Sequence, residues 1–338
     1  MSAIRDLGLQ EPAPRAGLDD QVELWEVSPR GGLQAERMIL DVASRIELIG
    51  RLVRAGARIV EAGSFVRPDR VPAMAGSAEV LAGVTDLLAR LPVLVPNPRG
   101  YDLARAAGAN DIAVVLSVTE TFSRNNLGAS RQTMECEIEA VTRRALTEGV
   151  RVRGYLSMVF GDPWEGRVPV SKVVRLTSLM RSWGIREFSF DDTIGVATPG
   201  RVVEIIRALT DAGIPHTELA LHLHDAYGQA LVNVYASLEA GIRRFGAPAA
   251  GIGGCPFARS ANGNLATDDL VWLLNGLGLD SGIDLDALAE TSAWISDTLL
   301  RPASSRVATP LRPRAPEAPS RDDVPRWLHK VPILPTGY

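Results

Sequence analysis

The run LHLHD at 221–225 places His222 and His224 two residues apart. On a β-strand that spacing points both side chains to one face. Two imidazoles converging on one point are a metal-ligand pair or a pair of hydrogen-bonded structural histidines, and the spacing alone does not choose between them. The stretch GIGGCPFARSANGNLATDD at 251–269 is rich in glycine and carries Cys255 and Asn264. Cys255 lies between Gly254 and Pro256, outside any apolar run, so it reads as a thiol on a loop able to cover a pocket, or as an incidental loop thiol. Cys136, in the helical TMECEIEA, reads as a core cysteine instead. Glu61 in IVEAGSF, Ser157 in GYLSM, and Asp191 with Asp192 in FSFDDT each close an apolar run, as does Arg30 in VSPRGG. Any one of them could be a solvated strand end. Their recurrence at the same end of successive runs points to a lined cavity.

The elements that must hold these residues alternate regularly. Strand patterns are expected at 22–27, 57–63, 92–97, 111–118, 150–159, 186–190, 218–224 and 247–254, and helix-period stretches such as 36–56, 131–149 and 200–213 lie between them. Several of the helical stretches end in the glycine that favours a helix stop. Strand–helix alternation repeated eight times predicts an α/β fold, a (β/α)8 TIM barrel, whose chemistry sits at the C-terminal strand ends. An open doubly wound sheet is the alternative, but the first βα turn lacks the G-x-G-x-x-G phosphate loop. The reading divides the chain into a leader at 1–20, a catalytic barrel with its lid loop and C-terminal helices at 21–306, and a proline-rich tail at 307–338. Within that tail RWLHKVPIL is apolar enough to dock on something.

Composition narrows the class. A chain of 338 residues with 46% hydrophobic content can bury one large core. A net charge of -4, with Lys and Arg scattered, leaves no electrostatic footprint for nucleic acid. No run approaches the roughly 18 apolar residues of a membrane span. The first twenty residues have no apolar signal core, and their acidic residues argue against a transit peptide. With two widely separated cysteines, a reducing cytoplasm is the expected location. A homo-oligomer is compatible with all of this.

Six segments together resemble the hydroxymethylglutaryl-CoA lyase family of metal-dependent TIM-barrel lyases and Claisen-type synthases. They are SPRGGLQ, IVEAGSFV, RGYLSMVFGDPWEG, DDTIGVATPG, LHLHDAYGQALVN and GIGGCPFARSANGNLATDDLVWLL, in order from about residue 22 to 306. The resemblance implies cleavage of a 3-hydroxy-3-methylglutaryl-CoA-like thioester to acetyl-CoA and a keto acid, so the expected partner is a small acyl-CoA or keto acid. It implies a divalent metal, Mg2+ or Mn2+, on His222, His224 and Asn264. Arg30 would then stabilise the enolate, Cys255 protonate it, and His222 stand among the acceptors for the substrate's hydroxyl proton. Glu61, Ser157, Asp192 and Gln34 would contact substrate or support those that do.

The departures from the family lie around the same pocket. Where the family has a metal-ligand aspartate after the arginine, this chain has Gly31. Asp191 stands where the family has a small residue, and FGAPAAG at 245–251 replaces a polar eighth strand of the VDxSVAG kind. The missing carboxylate leaves three completions of the metal shell: a softer metal, the substrate's own oxygens, or Asp191, with substrate oxygens favoured because they must approach the metal anyway. Three functions stay open at this point: a lyase, a carbon–carbon bond-forming synthase on a different acyl and keto acid pair, and a catalytically silent member.

Overall fold

The computed structural model describes residues 10–15, 17–18, 21–254 and 263–312. Its strands are β1 (Glu23–Glu26), β2 (Ile59–Val60), β3 (Gly63–Ser64), β4 (Val93–Leu94), β5 (Asp111–Ser117), β6 (Arg151–Ser157), β7 (Phe188–Asp192), β8 (Leu219–Leu223) and β9 (Arg244–Ala247). All pair in parallel, in the order β2-β1-β9-β8-β7-β6-β5-β4-β3. The two ends of that order, β2 and β3, are pieces of one extended segment. The Glu61 N–H donates to the Glu26 carbonyl on one side, and the Ala62 N–H donates to the Pro92 carbonyl on the other, each at 2.9 Å. The segment therefore bonds to both of its neighbours and curls the sheet round on itself, with the expected α/β alternation.

The principal helices are α1 (Val42–Arg54), α2 (Ser77–Ala82), α3 (Pro98–Ala106), α4 (Arg131–Thr147), α5 (Val170–Ser182), α6 (Pro199–Asp211), α7 (Ala230–Glu239), α8 (Thr267–Gly276) and α9 (Leu285–Thr298). Their starts follow from capping chemistry. The Asp41 carboxylate accepts from Ser44 N at 2.7 Å, so α1 begins at 42 and not at the expected 36. Ser130 accepts from Thr133 N at 3.1 Å and starts α4 as its pattern predicts. In α4 the buried stripe is Met134, Ile138 and Val141, and Cys136 falls off it onto the exposed side, which corrects its reading as a core cysteine.

The eighth strand is also corrected: it spans 244–247 and the chain turns at 248–254, where extended backbone was expected. Pro248 brings no N–H to a ladder, and Ala250, Gly251 and Gly253 adopt positive φ of 58°, 62° and 84°, outside the range a strand allows.

Two layers of apolar packing hold the elements. Trp25, Ile59, Ala113, Val115, Tyr155 and Ala220 form the cluster within the curled sheet, and a much larger cluster fills the space between sheet and helices. At the N-terminal strand ends a charged network fills the interior. Arg153, 1% exposed, stacks 3.9 Å over Trp25, and Arg90 bonds both Asp111 and Glu187. With that end filled by side chains, the opposite end is left for chemistry.

Both ends of the described chain are tied to this body. Ala13 N donates to the Gly276 carbonyl, and Asp269 accepts from Ser305 Oγ and Val307 N, so ordered structure runs past 306. The RWLHKVPIL segment lies outside the described residues. Among those described, no helix is long and apolar enough to cross a membrane.

Candidate active site

A cavity of about 130 Å3 opens at the C-terminal strand ends, and Arg30, Gly31, Gln34, Ser157, His222, His224 and Asn264 all line it. Six of the nine residues expected to carry the chemistry therefore face one space. Glu61 and Asp192 do not line it, and Cys255 lies outside the described residues. The residues flanking the Cys255 segment, Gly254 and Asn264, do.

The histidines are positioned by backbone. His222 Nδ1 lies 3.0 Å from the Gly246 carbonyl oxygen on β9, which as a donor contact fixes the tautomer that leaves Nε2 with its lone pair. A Cβ at Gly246 would stand 3.4 Å from that same nitrogen, at the edge of ordinary contact. His224 follows β8, its ring 5.3 Å from that of His222 and nearly perpendicular to it. The 263–265 segment docks against this strand end through Asp225 N to Gly263 O and Leu265 N to Leu223 O, which sets Asn264 beside His224. Asn264 Nδ2 donates to the Ile252 carbonyl at 2.8 Å, so its Oδ1 is left over.

His224 Nδ1 and Asn264 Oδ1 are buried polar atoms without a hydrogen-bond partner. Burial holds the His222 imidazole down to about 4 and that of His224 to about 3, so both rings are neutral donors near pH 7. Two neutral imidazoles and an orphaned amide oxygen facing one cavity fit a divalent cation. Among the described residues, no three His, Cys, Asp or Glu side chains gather closely enough to make a metal site by themselves.

Arg30 sits in the tight turn Ser28–Gly32 that follows β1. Its Nε lies 2.7 Å from Glu61 Oε2, and its guanidinium carbon stands 5.6 Å from the centre of the Tyr155 ring. Glu61 is 1% exposed, so it holds the arginine from behind and does not itself face the cavity. The turn is anchored below by Glu26, whose carboxylate accepts from Ser28 N, Ser28 Oγ, Ala249 N and Thr267 Oγ1.

Asp192 turns to backbone and not into the cavity. Its two oxygens accept from Val196 N at 2.9 Å and Ala197 N at 3.0 Å, which pins the turn between β7 and α6. The carboxylate in the cavity is the preceding one, Asp191, whose Oδ1 accepts from Ser189 Oγ at 2.8 Å. Burial pushes Asp191 up to about 7. Tyr155 was not singled out from the sequence, yet it lines the cavity with a buried, unpartnered hydroxyl. It is two residues before Ser157 on β6, and the period-two rule applied to Ser157 finds it.

Gly31 also lines the cavity, and a Cβ there would meet only Val27, at 3.6 and 3.7 Å. That is ordinary contact, so the position has room for a side chain.

Comparison with known proteins gives a consistent picture. The sequence model of the HMGL-like family matches residues 21–295. The mitochondrial hydroxymethylglutaryl-CoA lyase of Bos taurus is 43% identical over 289 residues, 85% of this chain and 89% of that protein. The crystal structure of hydroxymethylglutaryl-CoA lyase from Pseudomonas aeruginosa superposes with a TM-score of 0.84 at 41% identity, covering 87% of this chain and 98% of that one. An HMG-CoA lyase from Acinetobacter baumannii, solved with coenzyme A and 3-methylmalate, matches with a TM-score of 0.83 at 34% identity, over 87% of this chain and 96% of that one.

Proposed function

The chain belongs to the hydroxymethylglutaryl-CoA lyase family, and from that premise we propose that it cleaves a 3-hydroxy-3-methylglutaryl-CoA-like thioester into acetyl-CoA and a keto acid, acetoacetate for the parent substrate. The observation that carries this is the meeting, in one cavity, of the His222, His224 and Asn264 donors with the Arg30–Glu61 pair.

The reaction has three demands. The tertiary hydroxyl of the substrate must lose its proton, the C2–C3 bond must break with its electrons passing into the thioester carbonyl, and the resulting enolate must be protonated at carbon. His222 is assigned the first proton: with Nδ1 donating to the Gly246 carbonyl, its Nε2 lone pair can take that proton or hold a cation, one at a time. Arg30, fixed by Glu61 and by the Tyr155 ring, presents a planar cation where negative charge develops on the thioester oxygen. Cys255, which follows Gly254 in the sequence, is assigned the final proton delivery. Gln34, whose buried Oε1 has no partner, and Ser157 contact the substrate, while Asp192 acts through the turn it pins. A divalent cation, Mg2+ or Mn2+ by the family resemblance, would be held by His222, His224 and Asn264 and would supply Lewis acidity toward the substrate's oxygens. We place the protein in the cytoplasm, in line with its two widely separated cysteines.

Gly31 and Asp191 together favour a second reading, a bond-forming synthase whose pocket takes a different keto acid. The assay that separates the two supplies hydroxymethylglutaryl-CoA with and without Mg2+ or Mn2+ and measures both products. Metal-stimulated, equimolar acetyl-CoA and acetoacetate support the lyase. Consumption of acyl-CoA only when a keto acid is added supports the synthase, and no turnover in either direction overturns both.

A further inference from the structure

We propose that Asp191 supplies to the cation site the negative charge that Gly31 does not provide, so that the site's carboxylate has moved from the end of β1 to the end of β7. The inference rests on His222, His224 and Asn264 holding a cation. All three are neutral, and hard divalent cations are normally held through sites that include at least one carboxylate. The cavity can draw on few acids. Glu61 is turned to Arg30 and Asp192 to the backbone of 196 and 197. Asp191 is the one carboxylate among the described residues that line the cavity.

Its placement matches the need. Asp191 is the register partner of His222 on the adjoining parallel strand, and His222 is in turn paired with Gly246. Register partners on neighbouring strands lie roughly 5 Å apart and point to the same face. Ser189 Oγ holds Oδ1, which aims the carboxylate, and among the described residues Oδ2 makes no hydrogen bond. Gly31 follows β1, which adjoins β9, so Gly31 and Asp191 flank the histidines from opposite sides of the cavity. Asp191 does not form a closed cluster with the two histidines, so its charge acts across the cavity, where low dielectric keeps such an interaction strong.

This reading differs from completion of the shell by substrate oxygens in one measurable respect: it gives the substrate-free protein an affinity for metal that depends on Asp191. Mn2+ is titrated by calorimetry into the unmodified protein, Asp191→Asn, Gly31→Asp, and the double variant, all without substrate and with circular dichroism to establish folding. Asparagine retains an oxygen to accept from Ser189, so the fold is little disturbed. The expected result is Mn2+ binding by the unmodified protein, weakened at least about tenfold in Asp191→Asn and recovered when Gly31→Asp is added. Equal affinity in the unmodified protein and Asp191→Asn overturns the proposal while leaving the cation site standing. Binding seen only in the forms that carry Gly31→Asp also overturns it, because Asp191 would then be no substitute. No binding by any form overturns the cation site itself.

Discussion

Arg30 is constrained on two sides, by a carboxylate at 2.7 Å and by an aromatic ring, and that constraint distinguishes a preorganised cation from a mobile one. Lysine at this position keeps the charge and loses the planar fork, so it cannot face Glu61 and the substrate together. Arg30→Lys is expected to lower kcat/KM by on the order of 2–4 kcal/mol of transition-state stabilisation. A loss below about tenfold in steady-state kinetics would remove Arg30 from enolate stabilisation. Cys255→Ser tests the other end of the reaction. It should cut turnover strongly, and full activity would exclude the thiol as proton donor. At this scale the sequence was legible where spacing alone sets direction. His222 and His224 had to share a face once they were on a strand. Asp191 and Asp192 are the opposite case: neighbours on a strand point to opposite faces, and which faces inward depends on the register with β8, which a single chain of letters does not show.

Elements position the site through close backbone contacts that only particular residues permit. Gly253 has φ of 84°, and a Cβ there would stand 2.6 Å from the Gly32 carbonyl oxygen and 2.9 Å from Gly32 Cα. The turn after β9 thus presses on the turn that carries Arg30, backbone to backbone. Gly108 has nearly the same φ, 87°, with nothing within 4 Å, so it isolates the conformational part of any substitution. Gly108→Ala should cost about 1 kcal/mol from positive φ alone, and Gly253→Ala about 1–3 kcal/mol more, with a fall in kcat from the displaced Arg30. Equal costs for the two in urea unfolding would show that the turns do not bear on one another. The same turn explains why the eighth strand was misplaced. AAGIGG is apolar and small enough to read as buried strand, but the positive φ values that carry it over the barrel end are not visible in hydropathy. The seven preceding strand positions were found because apolar residues recur through each between helical stretches, even where the ladder proper is only two residues long, as in β4 between Pro92 and Pro96.

For the whole molecule, Glu26 is one of the buried carboxyls through which pH reaches the fold. It is 2% exposed, and it joins the end of β1 to the turn after β9 and to the first turn of α8, the three parts that close the barrel around the site. Burial outweighs its hydrogen bonds and pushes its pKa from 4.5 up to about 7. Below 4.5 the carboxyl is protonated in both the folded and unfolded states and the pairing costs nothing. Between 4.5 and about 7 the unfolded chain ionises while the folded protein keeps its proton, so stability falls as pH rises through that window and then levels off. The full drop from this one group is about 3 kcal/mol. Asp268, which burial pushes up to about 6, adds a fall of the same sign. Asp191, which burial pushes up to about 7, and Asp192, pushed up to about 6, add falls of the same sign, and Glu26→Gln should remove only the share that belongs to Glu26. The glutamine oxygen can still accept from Ser28 and Ala249, and its amide nitrogen can donate to the Thr267 hydroxyl, which is free to reverse its role. The variant is therefore expected to match the unmodified protein near pH 4.5 and to exceed it near pH 8. Urea unfolding at half-unit steps across that range measures the difference, and parallel curves for the two proteins would show that the proton taken up on folding sits elsewhere.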